Sequence, residues 1–102
     1  MIRLVSVFEI IPRGGVEEVG RSCYHVRAGD RNYLVDCGLK QSDTVEFPAF
    51  DGLTSGQIDA VFITHTHIDH IGGLPVAEQR NIFADDASIF MTRPTNALAS
   101  IL

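Results

Sequence analysis

Residues 58–73 read IDAVFITHTHIDHIGG, an apolar run that leads into three histidines, one aspartate and a glycine pair. Of the four histidines in the protein, His65, His67 and His70 lie in this segment together with Asp69. Neutral imidazoles and a carboxylate are the ligands that hold zinc and similar divalent ions in proteins. The segment therefore predicts a metal site that follows a buried strand.

The spacing of these side chains allows them to face two neighbouring ions. If residues 58–64 form a strand, His65 and His67 extend it at period two and project to the same side, where they can hold one ion. Asp69 and His70 follow after the chain begins to turn, so they can face a second position. Two neighbouring ions can share a hydroxide that is a strong nucleophile at neutral pH. A single histidine is more often a packed residue than a ligand, but four ligand-type residues together favour metal binding.

Length and composition indicate one small globular domain. The chain has 102 residues, and its formal net charge is −5, with eight basic against thirteen acidic residues. This charge balance argues against a nucleic-acid-binding surface formed by the chain alone, because phosphate binding usually needs a basic patch. The sequence contains neither a secretory signal nor an apolar run approaching the ~20 residues of a membrane span. We therefore expect a cytoplasmic protein that does not enter a membrane.

The hydrophobic pattern predicts an α/β fold, in which strands precede and alternate with helices. Predicted strands cover residues 2–10, 23–27, 32–36, 58–64 and 87–91, and predicted helices cover residues 74–80 and 94–102. Pro12 is expected to end the first strand, and residues 38–57 are expected to form a long loop that Phe47 and Phe50 anchor to the body. Strands rich in consecutive apolar residues need cover on both faces. The chain therefore has the pattern of the front portion of a larger layered fold.

The second and third strands are predicted to form a hairpin. Gly29-Asp30 is a suitable two-residue turn because glycine accepts the positive φ that the turn requires. This turn places Tyr24 opposite Val35 and Val26 opposite Tyr33 on one apolar face.

The same register places the two cysteines, Cys23 and Cys37, on opposite faces of the hairpin, which disfavours a disulfide between them. We therefore expect both thiols to be reduced.

Other polar side chains allow two interpretations. Asp36 ends an apolar strand and needs a partner, which a metal-ligating histidine would supply; the alternative is a turn aspartate. His25 is most simply an ordinary strand histidine. Thr64 and Thr66 are explained equally well by local hydrogen bonds or by strand propensity. Asp85-Asp86 is most simply a solvated loop.

These residues also carry a resemblance. The motif from His65 to His70 resembles the signature of the metallo-β-lactamase superfamily, and the whole chain resembles the β-CASP branch of RNA-processing nucleases, which includes the cleavage and polyadenylation endonuclease and RNase J. The segments that resemble the branch are EVGRSC at 18–23, LVDCGL at 34–39, IDAVFIT at 58–64, GLP at 73–75 and MTRPT at 91–95.

The resemblance implies a role for each motif residue. It assigns His65 and His67 to a first zinc ion and Asp69 and His70 to a second. It also implies that Asp69 is catalytic and that Asp36, in an Asp-x-Gly segment, supports the site without binding metal.

The resemblance also implies the fold: residues 1–102 would be a partial domain, cut within a helix, from the N-terminal part of an αββα sandwich. That part would contain a mixed sheet with a hairpin and helices on one face.

The implied function is the hydrolysis of RNA phosphodiester bonds by a metal-bridged hydroxide. Further family ligands are absent from these 102 residues. We therefore expect the chain alone to bind metal weakly at best and to be inactive until a C-terminal part or a partner chain completes the site. The sequence leaves open whether the chain forms a homo-oligomer. The alternatives are a hydrolase of small esters, thioesters, lactones or β-lactams, and a truncated non-catalytic interaction subunit.

Overall fold

The computed structural model describes residues 8–99 of the chain. Within this part lie seven strands and three short helices, none of them long and apolar enough to cross a membrane. The strands are β1 (Phe8–Gly14), β2 (Cys23–Ala28), β3 (Arg31–Val35), β4 (Lys40–Gln41), β5 (Val45–Glu46), β6 (Ile58–Phe62) and β7 (Phe83–Phe90). The helices are α1 (Ile68–Ile71), α2 (Leu74–Gln79) and α3 (Arg93–Ala99).

Five strands form one mixed sheet in the order β1-β2-β3-β6-β7. β1, β2 and β3 are antiparallel neighbours, whereas β6 runs parallel to β3 and β7 runs parallel to β6. β4 and β5 form a separate two-stranded sheet. The predicted α/β class and the mixed sheet with a hairpin are confirmed.

The hairpin between β2 and β3 has the predicted register. Tyr24 pairs with Val35 and Val26 pairs with Tyr33. Gly29 adopts a φ of 62° in the turn, the left-handed conformation that glycine accepts without steric cost. Local turn chemistry was therefore sufficient to fix this part of the sheet.

The first strand does not end where the sequence suggested. β1 continues through Pro12 to Gly14, with an irregularity in its pairing to β2 between these two residues. Proline is compatible with this position because β1 is an edge strand of the described sheet, where a missing N–H breaks no ladder on the outer side. Residues 2–7 of the predicted strand lie outside the described residues.

Three other features of the secondary structure were predicted incorrectly or missed. Residues 38–57 are not entirely a loop, because β4 and β5 form within them. β7 begins at Phe83, so Asp85-Asp86 lies in a strand, although both side chains are exposed as expected. α1 was not predicted as a helix. α2 was predicted correctly, with Pro75 in its first turn. α3 agrees with the predicted last helix as far as Ala99, and residues 100–102 lie outside the described part.

The core lies on one face of the mixed sheet. Leu34 and Val61 are paired neighbours on β3 and β6, and both are fully buried. Phe50 is buried beside this cluster and Phe47 packs against it, so both phenylalanines anchor their segment as predicted. Ala77 of α2 belongs to the same cluster.

The cysteines do not lie on opposite faces. Cys23 and Cys37 are both free and fully buried in the same cluster. The hydrogen bond to Cys23, together with burial, raises the pKa of the Cys37 thiol well above its usual range. The prediction failed because Asp36, which separates β3 from Cys37, adopts a φ of 63° and interrupts the alternation of the strand.

Candidate metal centre

The histidine segment follows β6 as a loop and not as a continuation of the strand. β6 ends at Phe62, and the Ile63 N–H still donates to the Phe90 carbonyl at 2.9 Å. Residues 63–66 have no regular structure, and His67 is the N-cap of α1. The predicted strand geometry for His65 and His67 is therefore wrong.

The loop nevertheless brings the imidazoles together at the carboxyl end of β6. The ring centroids of His65 and His67 are 6.0 Å apart, and those of His65 and His70 are 4.5 Å apart. His70 Nε2 lies 3.6 Å from Asp69 Oδ2. The His65 ring is thus closer to the ring of His70 than to that of His67, the histidine with which its spacing had paired it.

These side chains are of the types that bind a divalent ion and they lie near one another, but three of them do not surround a common point within residues 8–99. Imidazole nitrogens and carboxylate oxygens are suitable zinc ligands, and three imidazoles and a carboxylate are gathered here. Within residues 8–99, however, no group of three or more His, Cys, Asp or Glu side chains is arranged to hold an ion. A protein zinc site that performs catalysis generally has three protein ligands. The assignment of two ligands to each ion remains a prediction.

Asp36 has the histidine contact that the sequence suggested. Its side chain is almost fully buried, and Oδ2 lies 2.7 Å from His70 Nδ1. The Thr64 N–H donates to Oδ1 at 2.8 Å, and the Thr64 hydroxyl donates to Oδ2 at 2.7 Å. A carboxylate that accepts from one ring nitrogen leaves the other nitrogen available to a metal. This contact is compatible with the supporting role predicted for Asp36.

Thr64 contributes more than the sequence indicated. Besides its two bonds to Asp36, its hydroxyl lies 2.9 Å from His65 Nδ1. The available signal was its position directly before the first histidine, and strand propensity explained that position equally well. Only the fold shows that Thr64 lies between Asp36 and His65.

The backbone of α1 is held by segments that are distant in sequence. Three of its carbonyls accept hydrogen bonds from amides elsewhere in the chain, because a helix of four residues provides intrahelical donors for few of its carbonyls. The bonds are Leu39 N–H to Ile68 O (3.0 Å), Ser22 N–H to Asp69 O (2.9 Å) and Cys37 N–H to His70 O (2.8 Å). Gly38 lies so close that a Cβ there would overlap the Asp69 carbonyl. The position of Asp69 and His70 is therefore set by these contacts.

A charged cluster orders the segment that leads to Ser22. The Glu18 carboxylate accepts hydrogen bonds from Arg21 and Lys40, each at 3.0 Å, and from the Gly15 N–H at 3.1 Å. These bonds, led by the one from Arg21, lower the pKa of Glu18 to about 2. Lys40 begins β4, so the cluster ties the β1–β2 connection to the small second sheet.

A cavity of about 580 Å³ opens beside the histidine segment. Its walls include His67 and Asp69 and are otherwise mainly apolar, with contributions from Val19, Leu39, Ile68 and Leu98. Part of the site therefore borders a space that can receive an apolar group.

His25 is the ordinary strand histidine that was expected. It is fully buried in β2, its Nδ1 accepts from Arg13 Nη2 at 3.0 Å, and its Nε2 lies 2.8 Å from Asn32 Oδ1. Burial lowers the pKa of His25, which favours the neutral ring. Arg13 also donates to the carbonyls of Ala49 and Asp51, so this group connects the sheet to the loop after β5.

Comparison with known proteins identifies the class. The profile of the Metallo-beta-lactamase superfamily matches residues 16–85, and the chain belongs to this superfamily. Similar proteins include an Integrator complex subunit 11 homolog of Dictyostelium discoideum, which is 40% identical over 101 residues, and a probable RNase MJ4 of Methanocaldococcus jannaschii, which is 38% identical over 94 residues. Cleavage and polyadenylation specificity factor subunit 3-I of Arabidopsis thaliana is 37% identical over 95 residues.

These relatives confirm the resemblance to the β-CASP branch. The alignments cover 92%, 92% and 91% of this chain but only 13%, 21% and 13% of the three relatives, respectively. The chain thus spans about a fifth or less of their length.

Proposed function

We propose that this protein acts as a metal-dependent ribonuclease that hydrolyses RNA phosphodiester bonds. The observation that carries the proposal is the cluster of three imidazoles and Asp69 at the end of β6, in a chain similar to proteins named as ribonucleases. In this proposal His65 and His67 hold one zinc ion, and Asp69 and His70 hold a second. Further ligands, from a continuation of the chain or from a partner, complete both sites.

The side chains of this chain have defined tasks in the proposed reaction. When bound, the metal ions supply an activated water and stabilise charge on the attacked phosphate. Asp36 keeps a proton on Nδ1 of His70 and directs Nε2 towards the side of Asp69. The formal charge of −5 repels RNA, so bound cations and basic residues elsewhere are needed to attract the substrate. The two free, buried cysteines support a reducing, cytoplasmic setting.

A second candidate is the hydrolysis of small esters, thioesters or lactones on the same scaffold. The largely apolar cavity beside His67 and Asp69 favours it, because an apolar acyl group would fit there. RNA would instead need cationic groups along its phosphates.

The test is a comparison of substrates with the protein at its natural length. We expect cleavage of labelled single-stranded RNA that a chelator abolishes and zinc restores, with no turnover of small esters. Asp69→Ala should lower the rate by more than the roughly 10–100-fold typical of losing a residue that only supports a metal ligand. Asp86→Ala, an exposed carboxylate on β7, is the matched control.

Three results would change the assignment. Turnover of esters without RNA cleavage would favour the second candidate. No turnover of either class would indicate a non-catalytic interaction subunit. Robust RNA cleavage by the purified 102-residue chain would contradict the expectation that it is inactive alone.

A further inference from the structure

We propose that Thr64 is a positioning residue that fixes the tautomer of His65 and, through Asp36, links His65 to His70. The inference rests on the proposed metal-dependent function, because its consequence is the preparation of two metal ligands. It assigns a specific task to a hydroxyl that the sequence explained equally well by local hydrogen bonds or by strand propensity.

The first step concerns the single proton of the Thr64 hydroxyl. Oγ1 donates this proton to Asp36 Oδ2 at 2.7 Å, while the Thr64 N–H donates to Oδ1 at 2.8 Å. The same Oγ1 lies 2.9 Å from His65 Nδ1. Because a hydroxyl has one proton and two lone pairs, Oγ1 can only accept at the second contact. The proton of this bond therefore belongs to His65 Nδ1.

The second step concerns His70, which contacts the same Asp36 carboxylate. His70 Nδ1 lies 2.7 Å from Asp36 Oδ2, the oxygen that also accepts from Thr64. In their neutral forms both imidazoles thus carry the proton on Nδ1 and leave Nε2 unprotonated. The two rings are adjacent, with centroids 4.5 Å apart. The buried Asp36 carboxylate therefore sets the tautomer of both histidines. It contacts His70 directly and reaches His65 through the Thr64 hydroxyl.

The third step is the consequence for metal binding. An imidazole binds a metal through an unprotonated nitrogen, and the bond made by its other nitrogen decides which one is free. Without the Thr64 hydroxyl, His65 would exchange its proton between Nδ1 and Nε2, and a proton on Nε2 blocks that nitrogen. Water competes for the contact because Thr64 and His65 are exposed. We therefore expect a loss of metal affinity near the lower end of the ~10–100-fold range for supporting residues.

The primary experiment measures the ring nitrogens of His65 in the metal-free 102-residue chain. Long-range ¹H–¹⁵N correlation spectra, recorded where the imidazoles are neutral, distinguish the Nδ1–H from the Nε2–H tautomer. We expect the Nδ1–H pattern in the wild type and in Thr64→Ser, which keeps the hydroxyl, and a mixture in Thr64→Val, which keeps the shape. Thr44→Val, at an exposed position between β4 and β5, is the control. His25, held by Arg13 and Asn32, is an internal reference that should not change.

The wild-type spectrum alone decides whether the proposal stands if Thr64→Val fails to fold: an Nε2–H pattern for His65 would overturn it. An unchanged His65 pattern in folded Thr64→Val would overturn it as well.

A zinc titration of the protein at its natural length is the second readout. We expect about tenfold weaker binding for Thr64→Val and no change for Thr64→Ser. If the tautomers follow the proposal but RNA is not cleaved, the proposed substrate is wrong and the positioning role is retained. If RNA is cleaved and the tautomer of His65 is the same in Thr64→Val as in the wild type, the positioning role is wrong and the proposed function is retained.

Discussion

At the scale of single residues, Asp36 connects the end of β3 with the histidine segment. Its φ of 63° lies in the left-handed region, which aspartate tolerates better than most residues. This conformation turns the carboxylate towards Thr64 and His70 and, one residue later, turns Cys37 into the core. One unusual backbone conformation thus accounts for both a correct contact and the wrong prediction about the cysteines.

Glu18 gives a prediction about acid stability. Its pKa is lowered from 4.5 to about 2 in the folded chain, so its contribution to stability is present above about 4.5 and is lost as the pH falls towards 2. Glu18→Gln should lower the denaturant midpoint at pH 7 and should make stability less dependent on pH in that window. Urea unfolding at several pH values measures both effects.

The neighbouring exposed residue provides the control for this prediction. Glu17→Gln changes the same formal charge on the same connection and should leave the pH profile unchanged. Equal effects of the two substitutions would show that overall charge, and not the bonds to Arg21 and Lys40, is responsible.

At the scale of elements, α1 depends on its neighbours rather than on its own length. Isolated helices of four residues are unstable in water, because nucleation costs more than so few hydrogen bonds return. The three amides that donate to its carbonyls belong to Ser22, Cys37 and Leu39. Each of these residues is more than 28 positions along the chain from the residue to which it donates. The position of Asp69 and His70 therefore depends on the segments that adjoin β2, β3 and β4.

Gly38→Ala tests this dependence. Its Cβ would overlap the Asp69 carbonyl, a backbone atom that cannot rotate away, so we expect a loss of about 3 kcal/mol in the free energy of unfolding. We also expect displaced amide signals for Asp69 and His70. Denaturant unfolding and amide spectra measure the two effects.

Gly29→Ala is the matched control for the element scale. A Cβ at Gly29 would meet nothing within 4 Å, so only the positive φ of the turn opposes the substitution, at about 1–2 kcal/mol. It should leave the Asp69 and His70 signals in place. An equal cost for both substitutions, with no shift at α1, would contradict the steric explanation.

At the scale of the whole molecule, the second face of the mixed sheet is apolar and open within residues 8–99. Phe62 pairs with Phe90, their rings stack at 5.1 Å, and they remain 42% and 52% exposed, respectively. Ile10 on β1 pairs with Val26 and is 58% exposed. A contiguous apolar surface of this kind favours association or binding of apolar molecules.

The open face predicts that the 102-residue chain binds a hydrophobic dye. Phe90→Gln should reduce dye fluorescence while it changes the free energy of unfolding by no more than the roughly 0.5–1.5 kcal/mol of an aromatic pair. Val45→Gln, which replaces an equally exposed apolar residue on β5, should leave the fluorescence unchanged. The same loss of fluorescence in both variants would exclude the sheet face as the specific dye site.

The sequence by itself determined the α/β class, the hairpin register around Gly29, the short helix with Pro75 and the identity of the ligand-type residues. These features follow from hydrophobic periodicity, turn chemistry and residue type, which are local properties.

Only the tertiary structure decided that β1 passes through Pro12, that Cys23 meets Cys37, and that His65 lies nearer to His70 than to His67. These outcomes depend on strand order, on one left-handed residue and on backbone bonds between distant segments. Local sequence patterns did not indicate these three outcomes, because they are decided by the packing of elements that are far apart along the chain.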